Sequence, residues 1–176
     1  MKPERILAID PGTRRMGVAV LEGEELLYYG VKTIRRPKTP REILEEAATL
    51  IKNLTAIYQP HILAIEKMSL IQKSESLLVV VAEEIKATAK KEGLSIYEYM
   101  PATIRKRICK NDKATKQQTA GIIAQRYPEL GHLLNRISLS EQRYYSYVFD
   151  AVAVGIICSQ EVEKTTPSGQ DEMNLM

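Results

Sequence analysis

The chain has 176 residues, 44% of them hydrophobic and 27% charged, enough for one domain with a sizeable core and cramped for two. Its formal net charge of +3 permits a nucleic-acid partner without requiring one. Two distant cysteines, Cys109 and Cys158, support neither a disulfide framework nor a zinc site, no apolar run is long enough for a membrane span, and the charged start is unlike a signal peptide, so a cytoplasmic protein is expected.

The apolar runs Ile6 to Ile9, Met16 to Leu21 and Leu26 to Val31 are separated by Asp10-Pro11-Gly12 and Glu22-Gly23-Glu24, which predicts a three-strand antiparallel meander. Thr39-Pro40-Arg41-Glu42 supplies an N-cap, a proline at the first helical position and a capping-box glutamate. A helix to about Tyr58 follows, with Ile43, Leu44, Ala47, Leu50, Ile51 and Leu54 at helical spacing. His61 to Glu66 is short and β-branched, as a buried parallel strand is. After a connection from Lys67 to Ser74, Glu75 to Glu92 reads as a helix. Its apolar stripe (Leu77, Leu78, Val81, Ile85, Ala89) is widened by Val79 and Val80, which points to a partner helix in a dimer. Gly93 caps it, a fifth strand ends at Met100-Pro101, and a basic stretch leads to a helix from Thr115 to Arg126. A last helix is expected from Ser140 to Cys158. The expected organisation is one α/β domain over residues 1–160, a five-stranded mixed sheet flanked by helices in three layers, with a polar, disordered tail over 161–176.

Three acids interrupt apolar runs: Asp10 in ILAIDPG, Glu66 in ILAIEKM and Asp150 in YVFDAVAVGII. Desolvating a carboxylate costs several kcal/mol unless it is paired, hydrogen-bonded or bound to metal. If the first and fourth strands are neighbours, Asp10 and Glu66 meet at their ends, and a helix packed on the sheet adds Asp150. Three converging carboxylates need a divalent cation; oxygen-only ligation favours Mg²⁺ or Mn²⁺, and a pair of such ions activates water against a phosphate ester. Taken singly, each acid also has a plain reading as a cap, turn or salt-bridge residue.

The basic residues fall in two groups. Arg14 and Arg15 follow the Asp10 turn, and Gly17 lies in the second strand, where a missing side chain admits another backbone. Arg105, Lys106, Arg107, Lys110, Lys113 and Lys116 surround Asn111-Asp112, with Thr115 and Gln118 forming a second capping box. A lysine at position 116 opposes the helix dipole unless an anion lies beside it, which favours phosphate binding over a merely solvated basic surface. Tyr144, Tyr145 and Tyr147 are candidates for base stacking, with core packing expected of at least one. His61 and His132 have no metal-ligand spacing.

ILAIDPGTRRMGVAV, ILAIEKM, YEYMPATIRKRIC, KATKQQ and YVFDAVAVGII together resemble, in order and spacing over roughly residues 5 to 158, the RuvC family of Holliday-junction resolvases in the ribonuclease H-like superfamily. The resemblance implies that Asp10, Glu66 and Asp150 are catalytic and bind metal, and that a homodimer with two metal sites nicks a four-way DNA junction symmetrically, leaving 5′-phosphates and 3′-hydroxyls. It matches the family's Y-x-P-x-x-V-K to Tyr99 through Arg105, with Arg105 in the lysine's place, and A-x-K-x-Q to Ala114 through Gln118. One helical turn before Asp150, where the family commonly has Asp or His, this chain has Tyr147. Either Ser146 or Glu141 then compensates through a water, or metal binding is weaker; Gln118 is a further auxiliary position. The connection carrying Lys67, Gln72 and Lys73 is implied as a loop entering the junction, and a branch-migration motor as a further partner.

Three other readings compete. Asp10-Pro11-Gly12-Thr13 and the strand after it are similar to the phosphate loop of actin-like kinases, but the chain has no room for two lobes. GTRRMGVAV is similar to the YqgF family of small nucleases in RNA processing, which lacks a strand ending like ILAIEK. A junction-binding protein with a degraded metal site is kept open by Tyr147.

Overall fold

Three antiparallel strands open the chain, β1 (Arg5–Asp10), β2 (Arg15–Glu22) and β3 (Glu25–Thr33). The computed structural model describes residues 3–35, 38–68, 76–135 and 138–165. Helix α1 (Pro40–Tyr58) begins at the anticipated box, Thr39 and Glu42 each accepting the other's backbone N–H, and buries Ile43, Ala47, Ile51 and Leu54. Strand β4 (Ile62–Glu66) runs parallel to β1, and after α2 (Ser76–Lys91) strand β5 (Ser95–Tyr99) runs parallel to β4. The sheet order is β3-β2-β1-β4-β5. Then follow α3 (Pro101–Cys109), α4 (Lys116–Arg126), a 3₁₀ turn (Pro128–Leu130), α5 (Gly131–Leu134) and α6 (Leu139–Thr165).

Strand alternation divides the core in two. Leu7, Ile9, Val18, Val20, Leu63 and Ile65 pack with α1 and α2, whereas Ile6, Ala8, Ala19, Leu21, Ile62 and Ala64 pack under α6 and α4. Each fully buried Leu, Ile or Val contributes about 1.5–3 kcal/mol, so both faces of the sheet are needed for stability. Small residues let α6 lie close. A Cβ on Gly155 would come within 2.3 Å of Leu21 Cδ1 and 3.1 Å of Ala8 Cβ, and one on Gly17 within 1.9 Å of the Tyr147 carbonyl oxygen. The close approach expected at Gly17 is therefore met by the backbone of α6.

The fold class is as expected, and three local expectations change. The basic stretch after Met100 is helix α3, with Pro101 in its first turn and Ile104 buried. The segment after Tyr127-Pro128 contains the 3₁₀ turn and α5, which bury Leu130 and Leu133. Helix α6 continues to Thr165, past the expected domain end at 160, while residues 166–176 lie outside the described residues. Ser159 and Glu161 explain the extension. The Ser159 hydroxyl donates to the Gly23 carbonyl at 2.8 Å, and Arg107 of α3 donates to Glu161 at 2.9 Å. Cys109 and Cys158 are both free thiols. No helix among the described residues is long and apolar enough to cross a membrane.

Candidate active site

The parallel register Ile9↔Ile65 brings the C-terminal ends of β1 and β4 side by side, so Asp10 and Glu66 leave the sheet as neighbours. Alternation puts both on the face that carries Ala8 and Ala64, which is the face α6 covers. Gly17 is the cross-strand partner of Asp10 and also the point where the Tyr147 backbone touches the sheet. Asp150 lies three residues further along α6, on the same face of the helix. All three acids, with Arg14, Arg15, Lys67, Arg105, Lys116, Ser146 and Tyr147, line one open cleft of about 770 Å³.

Asp10 is buried, 8% exposed. That burial, reinforced by the carboxylates of Asp150 and Glu66 and opposed by Lys116, holds it well above the usual carboxylate range. Glu66 is pushed up to about 7, chiefly by burial and then by Asp150, with Lys116 and Arg105 pulling the other way. Desolvation would lower Lys116, but its contact with Asp150 and the fields of Asp10 and Glu66 keep its ammonium above the ordinary value. The Lys116 Nζ donates to Asp150 Oδ2 at 2.6 Å. The anion that makes a lysine tolerable in the first turn of α4 is thus Asp150 itself, where the sequence pointed to a phosphate.

Among the described residues no three acidic, His or Cys groups are close enough to share one metal ion, and Asp150 holds the lysine instead. The donor chemistry nevertheless fits a hard divalent cation. All three donors are carboxylates, and burial with mutual repulsion holds two of them protonated more readily than a solvated acid, which a divalent charge reverses.

The basic cluster divides. Arg105 and Lys116 face the cleft, whereas Lys106 pairs with Asp112 at 2.7 Å, Arg107 is taken by Glu161, Lys110 ends α3 in a left-handed conformation at φ 53°, and Lys113 stands exposed beyond it. Lys73 and Gln72 lie outside the described residues. Gln118 is occupied in the cap of α4, accepting the Thr115 backbone N–H at 2.9 Å. Ser146, in the cleft, donates to the Arg143 carbonyl at 2.8 Å, and Glu141 accepts from Ser138 at the start of α6. Arg15 lies over the Tyr144 ring at 5.3 Å from its centroid, Tyr144 meets Tyr145 edge-on, and Tyr145 packs on the core. Met100 and Leu78, which no sequence signal marked, also line the cleft. Met100 is 46% exposed, and the apolar run containing Leu78 read as a packing surface and dimer contact, apart from the site.

A family model described as crossover junction endodeoxyribonuclease RuvC matches residues 6–157. A protein of that name from Dehalococcoides mccartyi is 31% identical over 159 residues, spanning 86% of this chain and 90% of the relative. The solved structure of Thermus thermophilus RuvC is similar with a TM-score of 0.72 at 19% identity, over 92% of this chain and 97% of that one. A structure titled T. thermophilus RuvC in complex with Holliday junction substrate gives 0.71 at 19% identity, over 93% and 97%. These two structures show the fold, which is ribonuclease H-like. The family match extends well beyond the glycine-containing stretch on which the actin-like and YqgF-like readings rested. From the first strand into the last helix the matched residues follow one pattern, and the chain belongs to the RuvC family of crossover junction endodeoxyribonucleases.

Proposed function

We propose that this Holliday-junction resolvase cuts through Asp10, Glu66 and Asp150, acting on a four-way DNA junction as a homodimer that makes paired symmetric nicks. The observation that carries the assignment of residues is their placement: three acids from β1, β4 and α6 open into one cleft rimmed by Arg14, Arg15, Lys67, Arg105 and Lys116. Family membership implies dependence on a divalent metal ion in general. The finer reading is Mg²⁺ or Mn²⁺, two ions per subunit, held by the three carboxylates. Such ions, when bound, lower the pKa of a coordinated water and stabilise the departing 3′-oxygen.

The chain's own residues do the rest. Asp10 and Glu66, fixed by paired strands, present rigid oxygens at the sheet end. Asp150 faces them from α6; with a cation held by the carboxylates, the Lys116 ammonium that now donates to Asp150 would be free for the non-bridging oxygens of the scissile phosphate. Arg15, braced on Tyr144, and Arg14 suit the neighbouring phosphates. Lys106, Lys110 and Lys113 are outer contacts to a duplex arm, and Lys73 is a further contact on family grounds. Tyr147 and Ser146 line the cleft in place of a fourth carboxylate. A dimer is supported by the apolar surface of α2, where Val80 is 48% exposed and Leu77, Leu78 and Val79 are half-buried. A two-fold dimer suits a two-fold substrate. Such a role belongs in the cytoplasm, with a branch-migration motor as partner on family grounds alone.

The test is cleavage of a labelled four-way junction, with linear duplex and RNA hairpin controls, in Mg²⁺, Mn²⁺ or EDTA. Symmetric metal-dependent nicks that Asp10→Asn and Asp150→Asn abolish are expected. Tight binding without cutting would mark a binding-only protein, and cutting of RNA alone would refute a junction substrate.

A further inference from the structure

A second pocket, of about 300 Å³, opens beside the catalytic cleft between α4, α5 and α6. Ala120, Leu133, Leu134 and Phe149 give it apolar walls, while Gln117 and Gln142 bring amides to it. Lys116, Ser146 and Asp150 line both this pocket and the cleft, so the two spaces join at the point where the scissile phosphate is placed. We propose that this pocket receives one unpaired nucleobase, from a nucleotide adjacent to the scissile phosphate, and that Gln117 reads its edge. The inference rests on the junction-cleaving reading and deepens it.

Shape, chemistry and position all point to a base. Its volume lies at the small end of the range of roughly 300–1,000 Å³ typical of ligand pockets, which suits a single ring system and not a base pair. The apolar walls suit the faces of a base, and a side-chain amide carries donor and acceptor together, the combination that a base edge presents. The ammonium of Lys116 at the shared rim gives the attached phosphate its anchor. A paired base must first be unstacked and unpaired to enter, at a cost that is least where pairing is already disrupted. The strands of a four-way junction exchange at such a place. The pocket therefore lets the enzyme sense branching through one nucleotide beside the cut, in addition to the overall shape of the DNA.

The experiment uses the full chain and a panel of four-way junctions that vary the base at each position flanking the cut, including an abasic residue and 2-aminopurine. Cleavage in Mg²⁺ is measured for wild type, Gln117→Leu and Leu134→Trp, with circular dichroism and junction affinity as controls. Wild type is expected to discriminate at one flanking position by about tenfold, the abasic junction being cut as slowly as the poorest base. Gln117→Leu should reduce that discrimination to about twofold while still cutting. Leu134→Trp fills the pocket; it should slow all four bases to the abasic rate with affinity held within about twofold, and remove the 2-aminopurine fluorescence change seen on binding at that position alone. A wild-type enzyme that cuts every junction in the panel equally, or a base profile that both variants retain, overturns the pocket and leaves the resolvase reading standing. Wild type that cuts no junction in any metal overturns both.

Discussion

Replacing Glu66 with glutamine in the metal-free protein should make the fold more stable while ending its ability to cut DNA. The Glu66 carboxyl is held at about 7 instead of 4.5, and at about 1.4 kcal/mol per pH unit its ionisation opposes folding by at most about 3.5 kcal/mol. Its partial exposure and the burial of the replacement amide reduce the gain to an expected 1–2 kcal/mol. For a chain of this length that corresponds to about 2–8 °C in Tm. The sign follows from the direction of the shift. A carboxyl whose folded pKa is raised stabilises the fold fully below its unfolded pKa near 4.5, and that stability is lost as pH rises toward 7. The advantage of Glu66→Gln should therefore be largest at pH 8 in EDTA and nearly vanish at pH 4.5 to 5. Adding Mg²⁺ should raise the wild-type Tm in proportion to RT ln(1 + [Mg²⁺]/Kd) and the variant's much less. Calorimetry at the two pH values, with and without metal, makes the comparison. A variant no more stable than wild type at pH 8 in EDTA, or equally favoured at both pH values, would refute the charge-repulsion account of the site.

Gly17→Ala drives a Cβ to within 1.9 Å of the Tyr147 carbonyl, where no flexible side chain can yield, and should cost 1–3 kcal/mol or more by urea titration together with most metal-dependent cutting. Gly155→Ala meets Leu21 Cδ1, which can turn away, and gains helix propensity, so its cost should be clearly smaller; equal losses at the two glycines would count against backbone contact as the cause. Lys116→Ala should lower the slope of log affinity against log salt by about one unit, and an unchanged slope would retire Lys116 as a phosphate contact. Thr115→Ala removes the cap of α4 at a cost of about 1 kcal/mol and loosens Lys116, so junction affinity should fall with stability; a loss of stability alone would show that the start of α4 does not hold DNA.

The main elements were legible because their signals are local. The apolar run of β4, the capping boxes at Thr39 and Thr115, and the Tyr127-Pro128 stop each name an element within a few residues. The placement of Asp10, Glu66 and Asp150 in apolar sequence likewise announced acids that must meet something. Helix α3 was obscured because its charges dominate nine residues of which Ile104 alone is buried, although Pro101 at its first turn was a start signal read as a stop. The split of the basic cluster was invisible because it is tertiary: Arg107 finds Glu161 on a helix more than fifty positions away, and Lys116 finds Asp150 across the site. Clefts and pockets formed by several elements have no sequence signature at all. Gln117, which the capping pattern passes over, is the plainest case.

The seat of α6 on Gly17 also bears on what a substitution at position 147 can change. What that position supplies to the architecture is its carbonyl, pressed on the strand beside Asp10, and every amino acid carries the same carbonyl. The placing of Asp150 is therefore a property of the main chain, decoupled from whichever side chain stands one turn earlier. Substitution at 147 can alter the chemistry of the cleft without moving the acid that follows, whereas residue 17 has no such latitude. A change at 147 thus acts on the cleft, and a change at 17 on the seat of the helix itself.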